Sequence, residues 1–282
     1  SRQAGIAVEL VGLSAERLPL PDDSFDTVVC TYTLCSIPDP AAALHEVRRG
    51  VQPGEGRPVL LIPGFLAGDE SLWMMSRWLR RVGYEPYGSG IRSNIGCSEK
   101  AIGDLEARVV EISERHGQPV SIIGHSRGGT FGRVLAVRNP QRVDRVIAMG
   151  SPLVASMEDI HGLVRFQIRN VQRAQRLGAR WLIAGECEQS WNAYRFGLEP
   201  VGCCTDFWTD MDDRLPTSVG FASLYSRSDG VIHWRACLDP QARHVEVSSS
   251  HCGMAVNRDV FERVGELMNG PIIASVRPLR VA

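Results

Sequence analysis

The apolar run Val120-Ser121-Ile122-Ile123 leads directly into Gly124-His125-Ser126-Arg127-Gly128, and that pentad opens a stretch of helical spacing that stops before Pro140. A strand that turns into a helix through G-x-S-x-G can be built in few ways, because the serine sits on a very tight turn. A Cβ two residues before or after it would collide with neighbouring backbone, and Gly124 and Gly128 remove that obstacle. The turn lifts the serine hydroxyl out at the carboxyl end of the sheet, where ligands bind in open α/β folds. The helix that starts there favours negative charge on a reacting oxygen at its N-terminus. Ser126 is therefore the candidate nucleophile.

The pattern on either side extends the same architecture. Val59-Leu60-Leu61-Ile62 is a short apolar run of strand type, closed by Pro63-Gly64-Phe65. Helical spacing follows from Ser71 to Val82 and again from Ile102 to Arg115, the second stopping near Gly117. Val143 to Met149, Gly220 to Ser226 and His244 to Val247 read as strands, and Val260 to Met268 as the last helix. This alternation predicts an α/β fold, a mostly parallel sheet flanked by helices. The stretch from about Ser151 to Ser218 breaks the rhythm, with a long helical region from His161 to Leu177 and several aromatic residues. It is expected to be a helical cap over the site, with packing outside the sheet as the alternative. Gln52 to Pro58 is rich in Pro, Gly and charge and reads as a linker, so a short N-terminal α/β appendage, residues 1–56, is set apart from a domain over residues 57–282.

A serine hydroxyl needs a base, and the base needs an acid that orients it. In a strand–elbow–helix fold of this kind the chain order is serine, acid, histidine. After Ser126 the histidines are His161, His233, His244 and His251. His251 follows a strand in Ser248-Ser249-Ser250-His251-Cys252-Gly253-Met254 and precedes the final helix, a loop position suited to the base. Asp229 leaves the preceding strand on the turn Arg227-Ser228-Asp229-Gly230 and is the expected acid, with Asp206, Asp210, Asp212, Asp213 and Asp239 as competitors. The oxyanion of a tetrahedral intermediate needs preorganised N–H donors. The backbone N–H of Arg127, at the helix start, and that of Phe65, in the loop after the first strand, are expected to supply them. These are main-chain roles that leave the two side chains dispensable.

At Ile62-Pro63-Gly64-Phe65, the Gly124 to Gly128 elbow, Ser226 to Val231 and Ser250-His251-Cys252-Gly253, the chain resembles the α/β-hydrolase superfamily, and within it bacterial carboxylesterases and lipases. The resemblance covers about Arg57 to Met268 and implies a serine ester hydrolase that needs no cofactor and no metal. Many relatives have histidine where this chain has Pro63, a departure that leaves the N–H donor intact. The implied substrate is a small-molecule or polymeric ester, polyesters included; thioesters and amides are the alternative acyl bonds. Leu66, Trp191, Trp208 and Met254 are candidates for an apolar acyl pocket, with core packing the competing role for each. The first fifty residues resemble the middle of a class I S-adenosylmethionine-dependent methyltransferase, at Val8-Glu9-Leu10-Val11, Ala15-Glu16-Arg17-Leu18-Pro19 and Ser24-Phe25-Asp26-Thr27-Val28-Val29. No glycine-rich cofactor loop precedes them, and Ser14 stands where that family usually places an acid. A truncated fusion without methyl transfer is expected.

Composition narrows the partners. A formal net charge of −1 over 282 residues gives no reason to expect nucleic acid or an anionic membrane. No apolar run approaches the roughly 18 residues of a membrane span. The chain opens on Ser1, as a processed or cloned end does. A cytoplasmic enzyme is expected, with a processed or secreted form left open, and assembly with a second copy is a further expectation. The eight cysteines, Cys30, Cys35, Cys97, Cys187, Cys203, Cys204, Cys237 and Cys252, form no paired C-x-x-C units, which argues against structural zinc. Because Asp229 must reach His251, the loops bearing Cys237 and Cys252 converge. A disulfide between them is one expectation and two reduced thiols the other.

Overall fold

A computed structural model describes residues 54–154 and 202–270. Six strands form one sheet: β1 (Pro58–Ile62), β2 (Glu85–Gly88), β3 (Val120–His125), β4 (Val143–Met149), β5 (Gly220–Tyr225) and β6 (Arg243–Glu246). Their order is β2-β1-β3-β4-β5-β6, and every neighbouring pair is parallel. All residues of β1 and β3 are buried, as expected of central strands covered on both faces, and this is why they read as unbroken apolar runs. The predicted mostly parallel sheet with flanking helices is the observed one.

The helices divide between the two faces. On one lie α1 (Trp73–Arg81) and the last helix, α5 (Arg258–Asn269). Met75, Trp78 and Leu79 of α1 share a buried cluster with Val260, Phe261 and Val264 of α5, and the Trp78 and Phe261 rings stack at 5.3 Å. Asn257 caps α5, its side chain accepting from the Asp259 and Val260 N–H groups. On the other face lie α2 (Ser98–His116), α3 (Arg127–Arg138) and α4 (Thr205–Asp212), which bury Leu105, Phe131 and Phe207 together. Phe131 and Phe207 meet edge to face at 5.7 Å. Close packing of α3 on the sheet follows from its small residues, since a Cβ on Gly132 would come within 3.0 Å of Ile122.

Two expectations change. Strand β2 carries no strand signal in sequence, since Pro86 lies within it and Gly88 ends it. Proline is tolerated there because, among the described residues, β2 is the edge strand of the sheet. The presumed cap also loses its end. Phe207, Met211 and Leu215 are buried in the α2–α3 core, and Arg133 of α3 donates to the Asp210 and Asp213 carbonyls. So α4 is part of the sheet's covering layer. The helical region expected from His161 to Leu177, Trp191, and residues 1–53 of the N-terminal appendage lie outside the described residues. Among the described residues, no helix is long and apolar enough to cross a membrane.

Candidate active site

The turn between β3 and α3 has the geometry its sequence requires. Ser126 has φ 52° and ψ −122°, a left-handed backbone that ordinary residues avoid and that persists only where surrounding structure enforces it. The enforcement is visible in the flanking glycines. A Cβ on Gly124 would lie 2.3 Å from the Gly128 carbonyl oxygen, and one on Gly128 would lie 2.1 Å from the Ile62 oxygen. The Ser126 N–H donates to Met149 O at 2.8 Å, tying the elbow to the end of β4. Beside it runs the loop after β1, where a Cβ on Gly64 would meet the Ser126 Cβ at 3.0 Å.

Asp229 and His251 come together from the loops after β5 and β6. His251 Nδ1 lies 2.7 Å from Asp229 Oδ2, with side-chain exposures of 8% and 1%. The other carboxylate oxygen, Oδ1, accepts from the backbone N–H groups of Val231 and Ile232 at 2.8 and 2.9 Å. The turn thus fixes the carboxylate before it meets the imidazole. With Nδ1 donating to Oδ2, Nε2 is the nitrogen left with a lone pair. Both side chains press on Gly150, just past β4: a Cβ there would lie 3.1 Å from Asp229 Oδ2 and 3.2 Å from His251 Nδ1. The pair therefore sits beside the Met149 carbonyl that anchors the Ser126 backbone. The Ser126 hydroxyl itself makes no hydrogen bond to His251 in this structure; such contacts often tighten only when substrate binds.

Of the competing acids, Asp239 is committed elsewhere. It is buried and paired with Arg133 at 2.8 Å, both side chains 3% exposed. Asp210 pairs with Arg138. His244 bonds the Asp239 carbonyl through Nε2.

Three contributors have no signal in the sequence. His125, the variable residue of the pentad, is buried and places Nε2 2.9 Å from the His251 carbonyl oxygen, so that nitrogen carries the proton. Its ring lies 4.8 Å from that of His251. Burial, and then the nearby His251, lower its pKa from the usual 6.5 to about 4, so it stays neutral and braces the base loop. Asn94 is also buried. Its Nδ2 donates to the Pro63 carbonyl at 2.8 Å, while its Oδ1 accepts from Arg127 Nη1 at 3.0 Å. The Arg127 side chain, expected to be dispensable, also donates to Gly96 O at 2.7 Å and Ser98 Oγ at 3.0 Å. Arg127 and Asn94 together pin the Phe65 loop to the elbow. Leu66, beside Phe65, is held at φ 63° with 45% of its surface exposed.

The other pocket candidates divide. Met254 is fully buried in the cluster formed with α1 and α5, as the core-packing alternative has it, and its sulfur lies beside the Asp229–His251 pair. Trp208 packs on Phe207 at the margin of the other core cluster. Cys237 and Cys252 are not bonded to each other: Cys237 is buried with Ile232 and Ala236, whereas Cys252 is exposed.

The family described as "alpha/beta hydrolase fold" matches residues 57–200, which include β1 to β4 and the elbow. The chain belongs to this family. A methyltransferase domain family matches residues 1–55. RutD proteins, named as carbamate hydrolases, are relatives in sequence. That of Caulobacter sp. (strain K31) is 26% identical over 112 residues, 37% of this chain and 41% of the relative. That of Yersinia enterocolitica is 27% identical over 92 residues, 30% and 33% of the two chains. The matched part thus spans about two-fifths or less of these relatives' length. Among solved structures, a Bacillus licheniformis lipase in mature form aligns with TM-score 0.52 at 16% identity, covering 78% of this chain and 94% of that one. A metagenomic carboxyl esterase aligns with TM-score 0.54 at 14% identity, covering 77% and 75%. These structural likenesses speak to the fold.

Proposed function

We propose that this hydrolase cleaves carboxylic esters through an acyl-enzyme on Ser126. His251 Nε2 takes the Ser126 proton as Oγ attacks the ester carbonyl, and Asp229 holds the imidazole in orientation and stabilises the imidazolium. The backbone N–H groups of Phe65 and Arg127 receive the oxyanion; the Arg127 N–H belongs to the first turn of α3, where helical amides lack intrahelical acceptors. His251 then protonates the departing alkoxide, and water enters by the reverse sequence to release the acid. The observation that carries this reading is the 2.7 Å contact between His251 and Asp229, two residues from different loops that chain order and loop position had paired in the sequence.

The same machinery acts on other acyl bonds. The likeness to RutD proteins favours one second reading, cleavage of an acyl C–N bond. A panel of p-nitrophenyl esters of increasing acyl length, run beside anilide and carbamate analogues and a polyester film, separates the two. Ester turnover that disappears in Ser126→Ala supports the proposal. Turnover of the C–N substrates alone replaces it with the second reading, and ester turnover that persists in Ser126→Ala refutes the nucleophile. We further propose that residues 57–282 form the hydrolase unit, with a cap within about 151–218, and that residues 1–56 are a separate methyltransferase-like segment that binds no S-adenosylmethionine. Heat released on titrating the chain with that cofactor would contradict the last point.

A further inference from the structure

We propose that Cys97, Cys203 and Cys204 form a thiolate site for one zinc ion. Their sulfurs stand 3.5, 3.5 and 3.7 Å apart, and among the described residues they make up the one group of three metal-ligating side chains gathered this closely. A zinc–sulfur bond of about 2.3 Å in tetrahedral geometry sets sulfurs about 3.8 Å apart. The triangle is thus close to one face of such a tetrahedron, with a cation seated just above its plane and the fourth position left to a further donor. A disulfide needs sulfurs about 2.05 Å apart and would use only two of three mutually touching thiols. A soft cation engages all three.

The surroundings hold the three sulfurs in place. Cys97 is the N-cap of α2 and Cys204 the N-cap of α4, so the starts of two helices meet at the sulfurs. The Arg127 guanidinium bonds the residues on either side of Cys97, the Gly96 carbonyl and the Ser98 hydroxyl, and so fixes the loop that carries it. Cys204 is buried while Cys97 and Cys203 are half-buried, which leaves a route for the ion. No spacing pattern announces the site, because position 97 meets positions 203 and 204 only through the packing of α2 against α4. An ion there would clamp the loop before α2, which holds Asn94 and hence the Phe65 loop, to the start of α4.

The test is made on the full chain, reduced and stripped with a chelator, then titrated with Co2+ and Zn2+. One equivalent of Co2+ is expected to give thiolate-to-cobalt charge-transfer absorption with the visible bands of a tetrahedral site, and zinc to displace it. Zinc is also expected to protect Cys97, Cys203 and Cys204, but not Cys252, from alkylation mapped by mass spectrometry. Cys97→Ser and Cys204→Ser should each weaken zinc binding by about 100-fold or more, while Cys252→Ser leaves it unchanged. The alkylation map on the unaltered chain decides the question if those variants fail to fold. Cobalt spectra without charge transfer, zinc that leaves the three thiols reactive, or a native disulfide from Cys97 to Cys203 or Cys204 would overturn the proposal.

Discussion

Gly150→Ala should damage the acid–base pair from behind. Gly150 has φ +56°, so alanine there incurs about 1–2 kcal/mol of left-handed strain. The new methyl would lie 3.0 Å from the Met254 sulfur, 3.1 Å from Asp229 Oδ2 and 3.2 Å from His251 Nδ1, each tighter than ordinary contact. The sulfur is packed in the core and the carboxylate is held by two backbone N–H groups, so the imidazole is the group able to move. A displacement of about 1 Å at such a pair lowers turnover about 100-fold. The expected result is a loss of that order in kcat on a p-nitrophenyl ester. It should accompany a fall in Tm of several degrees, at about 2–4 °C per kcal/mol for a domain of this size. Gly230→Ala is the matched control: it also adjoins Asp229, but its methyl would meet nothing within 4 Å. Full kcat in Gly150→Ala, or an equal loss in Gly230→Ala, would refute the reasoning.

Asp229→Asn should lower kcat by about 10⁴-fold with the fold intact. Asp239→Asn should instead destabilise by about 3–5 kcal/mol in denaturant titration, by leaving Arg133 buried and unpaired, yet keep the specific activity of the folded fraction. The reverse pattern would exchange the roles of the two acids. His125 titrates at about 4 when folded and near 6.5 when unfolded, so the unfolded chain binds more protons between these values. Its contribution to stability is therefore complete above pH 6.5 and is lost as pH falls toward 4. Unfolding free energies measured across that window should decline less steeply in His125→Gln, and an unchanged slope would contradict the neutral, buried assignment. Removing residues 1–52 retains the Gly54 N–H bond to the Val82 carbonyl at 2.7 Å and all candidate site residues, so ester turnover should survive. A soluble, folded truncation without activity would show that the segment helps to build the site.

What was legible in the sequence follows from where the information is local. The elbow is encoded in five consecutive residues, whose glycines are required by contacts within one turn and the adjacent strand, so it could be read directly. Asp229 was reachable because it follows the apolar strand β5, and His251 because it is the last histidine before the final helix. Strand β2 was not, since Pro86 and Gly88 are allowed by its edge position and not by propensity. His125, Asn94 and the Arg127 side chain act across 31 to 126 residues of chain, through contacts that only the folded sheet creates. For Cys237 and Cys252 the sequence left a disulfide and two thiols both open for a related reason. Proximity of two backbones does not fix the direction of their side chains, and here Cys237 is buried and Cys252 exposed.

The central claim is that Ser126 carries the acyl group. A fluorophosphonate that reacts with activated serines, followed by digestion and mass spectrometry, tests it directly. The account predicts one label per chain, on Ser126. It also predicts that Ser126→Ala takes up none and loses ester turnover by several orders of magnitude, retaining only what the oxyanion donors and binding supply. Label on another residue, or turnover within about tenfold of the unaltered chain in Ser126→Ala, would contradict it.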